Sequence, residues 1–277
     1  MPPFAFLLLA GLPVAAALLL PLLPASTAAA KVRSLAALSS AAQLLVGLTC
    51  WRQPPPDLHL AWLPKLGLSL DLGLDGLSLP MVLLTALITT LAILAAPAEQ
   101  ARPRLFFPLL LATNIGVVGA FLARNALLFV LAFELVLIPT TLLVAIWGGE
   151  KRAGAAIRYL IYGAVSGLSL LAAVLALGWL NRNGLSFSFD DLAHASLSPA
   201  ASRWVLALLL LGFGLKLPVV PLHGWQPFTY GQAPTPVVMV LAGCVSKLGA
   251  YGLLRFGVGF LPETWVAWSP WIAAAGA

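Results

Sequence analysis

The chain has 277 residues, of which 61% are hydrophobic and only 9% charged, with 15 Lys and Arg against 9 Asp and Glu for a formal charge of +6. A mean hydropathy of +1.00 lies far outside the range of water-soluble domains and marks an integral membrane protein. Basic residues flanking membrane helices serve to orient them, so no nucleic-acid partner is inferred, and Cys50 and Cys244 are too few and too far apart for a disulfide framework or a metal site.

An apolar run of about 20 residues crosses roughly 30 Å of hydrocarbon. Eight such runs are predicted, at about 4–24, 32–51, 76–97, 104–123, 125–147, 155–180, 203–230 and 233–256. The first opens Met1-Pro2-Pro3-Phe4 without Lys or Arg and exceeds a signal-peptide core, so it reads as a retained helix. Segments 52–75 and 181–202, with Pro54-Pro55-Pro56 and Asp190-Asp191, read as surface loops. Asp190, Asp191 and His194 fit an Asp-rich turn that caps a helix better than a metal cluster. A ninth run begins near Thr264, with Trp265, Trp268 and Trp271 spaced like an interfacial aromatic belt, and is cut at Ala277; the chain is expected to be a fragment. The expected fold is all-α, a polytopic transmembrane helix bundle. Its parts are helices one to three (1–103), helices four to eight (104–256) and the start of a ninth (257–277).

Lys31, Arg33, Arg102, Arg104, Lys151, Arg152 and Arg158 gather at short connections on one side. That bias places the N-terminus outside and the short basic loops in the cytoplasm or stroma.

Three ionisable residues fall deep within apolar runs: Glu134 in the fifth, Lys216 in the seventh and Lys247 in the eighth. A charge at the bilayer centre is costly unless it faces protein or water, so such residues mark a proton, ion or substrate path. At about 1.5 Å of rise per residue, Lys216 and Lys247 would lie about 23 Å before and after a turn near Gly231. Glu134 would lie equally far from a helix end near Gly149, so one layer is expected to hold all three. One buried acid could merely pair two helices; three charges at one depth favour a path. Pro218 and Pro221 follow Lys216, and proline breaks helices, so the seventh run is expected to break there, as in ion-coupled transporters.

Four stretches carry a family resemblance. They are Leu74-Asp75-Gly76-Leu77-Ser78-Leu79-Pro80; Phe133-Glu134-Leu135-Val136-Leu137-Ile138-Pro139 with Trp147-Gly148-Gly149; Lys216-Leu217-Pro218-Val219-Val220-Pro221-Leu222-His223-Gly224-Trp225; and Leu241-Ala242-Gly243 with Lys247-Leu248-Gly249-Ala250-Tyr251-Gly252. From about residue 70 to 256 the chain resembles the antiporter-like subunits of the complex I group, and among them the chain-4, or M-type, subunit. The resemblance implies that 104–256 is the first antiporter-like repeat. It makes Glu134 the fifth-helix carboxylate, Lys216 the pumping lysine of the broken seventh helix, and Lys247 the lysine that relays protons laterally. His223 is a weaker candidate for proton access, its unperturbed imidazole titrating at about pH 6.5.

The same resemblance implies a proton-translocating membrane-arm subunit of an NAD(P)H- or ferredoxin-driven quinone (plastoquinone) oxidoreductase of the NDH-1 type. It would sit in a bacterial inner or cyanobacterial thylakoid membrane, with other membrane-arm and hydrophilic subunits, the lipid bilayer and protons as its partners. No cofactor is expected on this chain, which has no Gly-x-Gly-x-x-Gly or Cys cluster; NAD(P)H or ferredoxin and quinone would be used by the complex. After Trp225 the family pattern has loop acids where this chain reads Gln226-Pro227-Phe228-Thr229-Tyr230-Gly231-Gln232-Ala233. With Glu150-Lys151-Arg152 and Pro234-Thr235-Pro236, this resembles the cyanobacterial variants linked to carbon dioxide uptake. The alternatives are a subunit of a multisubunit cation/proton antiporter and a structural membrane subunit without transport.

Overall fold

The computed structural model describes residues 4–276; Met1 to Pro3, at the opening of the first predicted run, and Ala277, the last residue of the predicted ninth, lie outside it. Among the described residues eight segments are long and apolar enough to cross a membrane. Seven of them fall within a few residues of the predicted runs; the seventh, predicted over 203–230, ends as a continuous helix at Lys216, just before Pro218. The chain is an integral, multi-pass membrane protein.

Helices α1 (Phe4–Leu19), α2 (Ala29–Arg52), α3 (Ser78–Ala95) and α4 (Pro103–Leu122) form the first four spans. The fifth comprises α5 (Ala126–Leu135) and α6 (Leu137–Trp147), and the sixth is α7 (Arg152–Trp179). A short α8 (Phe189–Ala193) precedes α9 (Pro199–Lys216) and α10 (Gln226–Gln232), the two halves of the seventh. The eighth contains α11 (Thr235–Val240) and α12 (Ser246–Gly252), each followed by a π-helical stretch, Leu241–Val245 and Leu253–Val258. Helix α13 (Pro262–Gly276) follows. The bundle is built around α4, 72% of whose span is buried, against 28% for the peripheral α1.

Three structural differences from expectation stand out. Segment 52–75 is not a plain surface loop: β1 (Leu58–Leu63) and β2 (Leu68–Leu72) form an antiparallel hairpin in which Leu58 faces Leu72 and Leu60 faces Leu70. The alternation of leucine with other residues is a period-two pattern suited to strands. Gly67 turns the hairpin with φ of +67°, a conformation that favours glycine. The fifth run, expected as one helix, is interrupted at Val136. Pro139 has no N–H to offer the carbonyl of Leu135, one turn earlier. The expected tryptophan belt is also only partly exposed: Trp271 is 76% exposed, but Trp265 and Trp268 pack against the core.

The two ends of the bundle are fastened differently. At the basic end, Arg33 donates to Ala96 O (2.9 Å), Arg104 to Leu23 O (2.6 Å) and the Trp147 indole to Ala101 O (2.8 Å). Gly149 N donates to Gln232 O at 2.8 Å, so the end of the fifth span and the turn between the seventh and eighth share a side, as the depth argument requires. At the hairpin end, Arg124 N donates to Asp71 O, Gly73 N to Leu122 O and Phe189 N to Arg124 O. All the ion pairs among the described residues lie there: His59 with Asp71, Arg124 with Asp57 and Asp75, and Arg255 with Asp75.

Candidate functional site

The seventh span breaks where its prolines predict. Helix α9 ends on Lys216, the Val220–Pro221 peptide is cis, and a 3₁₀ turn over Leu222–Trp225 leads into α10. Breaking a helix frees carbonyls that need partners. Here the Trp225 indole crosses the break to donate to Leu215 O at 2.8 Å, and Val219 N donates to Gly214 O at 3.0 Å.

Lys216 is 3% exposed. As the last residue of α9 it stands at the negative end of the helix dipole, which favours a cation. Its ammonium lies 4.6 Å from the centre of the Phe133 ring and 5.9 Å from that of Tyr159, within reach of cation–π attraction. Glu134, next to Phe133, acts on it electrostatically without a direct ion pair. The Tyr159 ring is buried, packs 5.3 Å from Trp225, and its hydroxyl accepts a hydrogen bond from Thr140 at 2.9 Å.

Glu134 is half-buried, and its carboxylate is seated on Gly167 of α7: a Cβ at that position would overlap Glu134 Oε1. Ser166, beside Gly167, donates to Gly212 O at 2.7 Å, and Gly212 is one turn before Lys216. The seat of the acid on α7 therefore meets α9 about one turn before Lys216.

Lys247 departs from its expected setting. It is exposed on the outside of the described bundle, where its ammonium donates to Ala242 O at 3.0 Å, a carbonyl that Ser246 Oγ also reaches at 2.8 Å. Ala242 lies in the first π-helical stretch, whose wider turn leaves a carbonyl within reach of side chains further along. Its helix nevertheless meets the break: a Cβ on Gly249 would come within 2.8 Å of Leu217 N, so α12 packs directly on it. The uniform helical rise assumed from sequence does not apply through residues 217–225. Contacts between helices, rather than residue counting, bring the backbone of α12 against the break, while the Lys247 ammonium reaches back toward Ala242.

His223 is half-buried in the 3₁₀ turn, with Nδ1 buried and without a hydrogen-bond partner among the described residues. Asp190 and Asp191 stand in the first turn of α8, where Ser186 Oγ donates to Asp191 at 2.6 Å. No group of three His, Cys, Asp or Glu able to hold a metal occurs among the described residues.

Sequence reading passed over the cluster that closes the hairpin end. Asp75 Oδ1 accepts from the N–H groups of Leu77 (3.0 Å) and Ser78 (2.8 Å), while Oδ2 accepts from Arg124 and Arg255. Burial works to raise the Asp75 carboxyl, but these hydrogen bonds and the Arg255 charge outweigh it and hold it below its usual value. Asp75 lies in one of the quoted motifs; its partner Arg255, 180 residues further on, had no local signal.

A family model described as NADH:quinone oxidoreductase/Mrp antiporter, transmembrane, matches residues 123–277, which include the broken helix, Glu134, Lys216 and Lys247. The chain belongs to this antiporter family. Similar to it within the antiporter family is the NAD(P)H-quinone oxidoreductase chain 4 of a Synechococcus species, 44% identical over 79% of this chain and 40% of that protein. The chain 4 of Prochlorococcus marinus is 40% identical over 95% of this chain and 51% of that protein. The chain spans about half the length of the curated relatives it matches. Among solved structures, a chain of respiratory complex I from Thermus thermophilus with bound NADH superposes with a TM-score of 0.84 at 31% identity, over 95% of this chain and 55% of that one.

Proposed function

We propose that this chain is a proton-translocating membrane-arm subunit of a quinone oxidoreductase of the NDH-1 type. The carrying observation is the buried Lys216 at a helix break, beside a carboxylate seated on a glycine. An amine held away from water keeps its proton only while an opposite charge compensates it. Movement of Glu134 toward and away from Lys216 would then load and release a proton. Lys247, on the helix that packs against the break but on its outer face, passes the proton sideways, and His223 offers access from the 3₁₀ turn. Residues 104–256 act as one antiporter-like repeat.

The chain-4 relatives favour the oxidoreductase over a cation/proton antiporter, since their names carry NAD(P)H and quinone. In this reading NAD(P)H or ferredoxin and plastoquinone react on other membrane-arm and hydrophilic subunits, in a thylakoid or bacterial inner membrane. The test is proton uptake into membrane vesicles, with abundance of the assembled complex measured alongside. Glu134→Gln and Lys216→Ala should abolish or strongly reduce pumping in a complex of normal abundance. Normal pumping by either variant refutes the assignment.

A further inference from the structure

The basic end carries a site that proton movement does not use. A cavity of about 540 Å³ opens between the α1–α2 and α3–α4 connections, lined by Pro21, Ala25, Thr27, Ala29, Arg102 and Arg104. Lys31 and Arg33 stand on the adjoining first turn of α2. Glu99, exposed on the α3–α4 connection, is the single acid in these two connections, so the region carries an excess of positive charge. None of the four cations has a carboxylate partner, because every ion pair among the described residues is at the opposite end. Arg33 and Arg104 each give one donor to a neutral carbonyl, and a guanidinium has further donors to offer.

The position of the cavity decides what anion it fits. It lies where spans α1, α2 and α4 leave the apolar layer, the depth of phospholipid headgroups. The helices that meet at the cavity also expose leucines, with Leu18 on α1 67% and Leu38 on α2 66% exposed, and Leu22 beside the lining residue Pro21 78% exposed. Cationic groups above an acyl-chain surface complement a molecule with an anionic head and two hydrocarbon tails. Basic pockets between membrane helices on the side with excess Lys and Arg bind such headgroups. We propose that this cavity holds the phosphate of an anionic phospholipid, gripped by Arg102 and Arg104 with Thr27 as a further hydrogen-bonding group, its tails lying along α1 and α2.

The test uses the assembled complex, stripped of lipid in detergent and returned to nanodiscs of phosphatidylcholine containing phosphatidylglycerol. Lipid retained after a second detergent extraction is counted by mass spectrometry. Wild type should retain phosphatidylglycerol selectively, and Arg102→Gln should weaken retention about five-fold, the effect of one basic residue near an anionic surface. Because Arg104 also ties two connections together, Thr27→Asp provides a second variant that places a negative charge in the cavity without removing that tie; it too should lose the lipid. Equal retention by wild type and both variants overturns the proposal. So does retention of phosphatidylcholine in equal amount, or displacement of the lipid by millimolar inorganic phosphate, which would reveal a site for free anions.

Discussion

Adding one methyl group at Gly167 should separate function from stability. The new Cβ would overlap Glu134 Oε1 and lie 2.7 Å from Oε2. The obstacle is the tip of a flexible, half-buried side chain and not backbone, so the acid can swing aside. Pushing a side chain off its preferred rotamer costs about 0.5–1.5 kcal/mol. Replacing glycine by alanine inside a helix returns about 0.8–1 kcal/mol. Net stability should therefore change by less than about 1 kcal/mol. The carboxylate, however, must move by more than about 1 Å to reach normal contact distance. Misplacing a reacting group by about 1 Å can cost about 100-fold in rate. Gly167→Ala is thus expected to pump about 10- to 100-fold more slowly at unchanged complex abundance, measured by acidification of inverted vesicles beside immunoblots of the complex. Glu134→Asp is one methylene shorter and fits below the new methyl, so the double variant should pump no worse than Glu134→Asp alone. At Gly163, where the obstacle is the Leu137 side chain, Gly163→Ala should leave pumping near wild type once abundance is corrected. Wild-type pumping by Gly167→Ala, or equal losses at both glycines, would refute the reasoning.

Two further outcomes are expected. Trp225→Phe keeps the ring beside Tyr159 but strips the donor from Leu215 O, so thermal unfolding in detergent should show a loss of about 1–3 kcal/mol, whereas an unchanged transition would mean that another group closes the break. Asp75→Asn should cost about 2 kcal/mol by leaving Arg255 without its charged acceptor. Because the folded carboxyl is held below its usual 3.8, its contribution is present above that pH and is lost only as the pH falls through the lower folded value. The gap between wild type and Asp75→Asn should thus stay level from about pH 5 to 8; a gap that shrinks across this range counts against the pairing.

Hydrophobic runs made the eight spans legible, since the bilayer imposes length and composition on any helix that crosses it. Pro218 and Pro221 made the break legible for the same kind of reason, a backbone donor missing where a helix needs one. Pro139 held an equal signal for the interruption at Val136, which the apolarity of that run concealed. The hairpin was hidden by the brevity of its strands and the prolines before them. No residue pattern announced the π-helical stretches or the outward aim of Lys247, which depend on how α12 meets the break. The seat for Glu134 on Gly167 and the Asp75 cluster join positions 33 to 180 residues apart, and only the assembled bundle brings them together.

The unequal fastening of the two ends gives the bundle a direction of response to ionic strength. At about 1 M salt the screening length falls to about 3 Å, which weakens partly exposed pairs such as Arg124 with Asp57 and Asp75 but leaves bonds to neutral carbonyls largely intact. Brine would therefore strip the charged contacts of Arg124 and Arg255 and leave that end to its backbone bonds, while the ties of Arg33, Arg104 and Trp147 at the opposite rim stay as they are, so that any slackening starts at one face of the membrane.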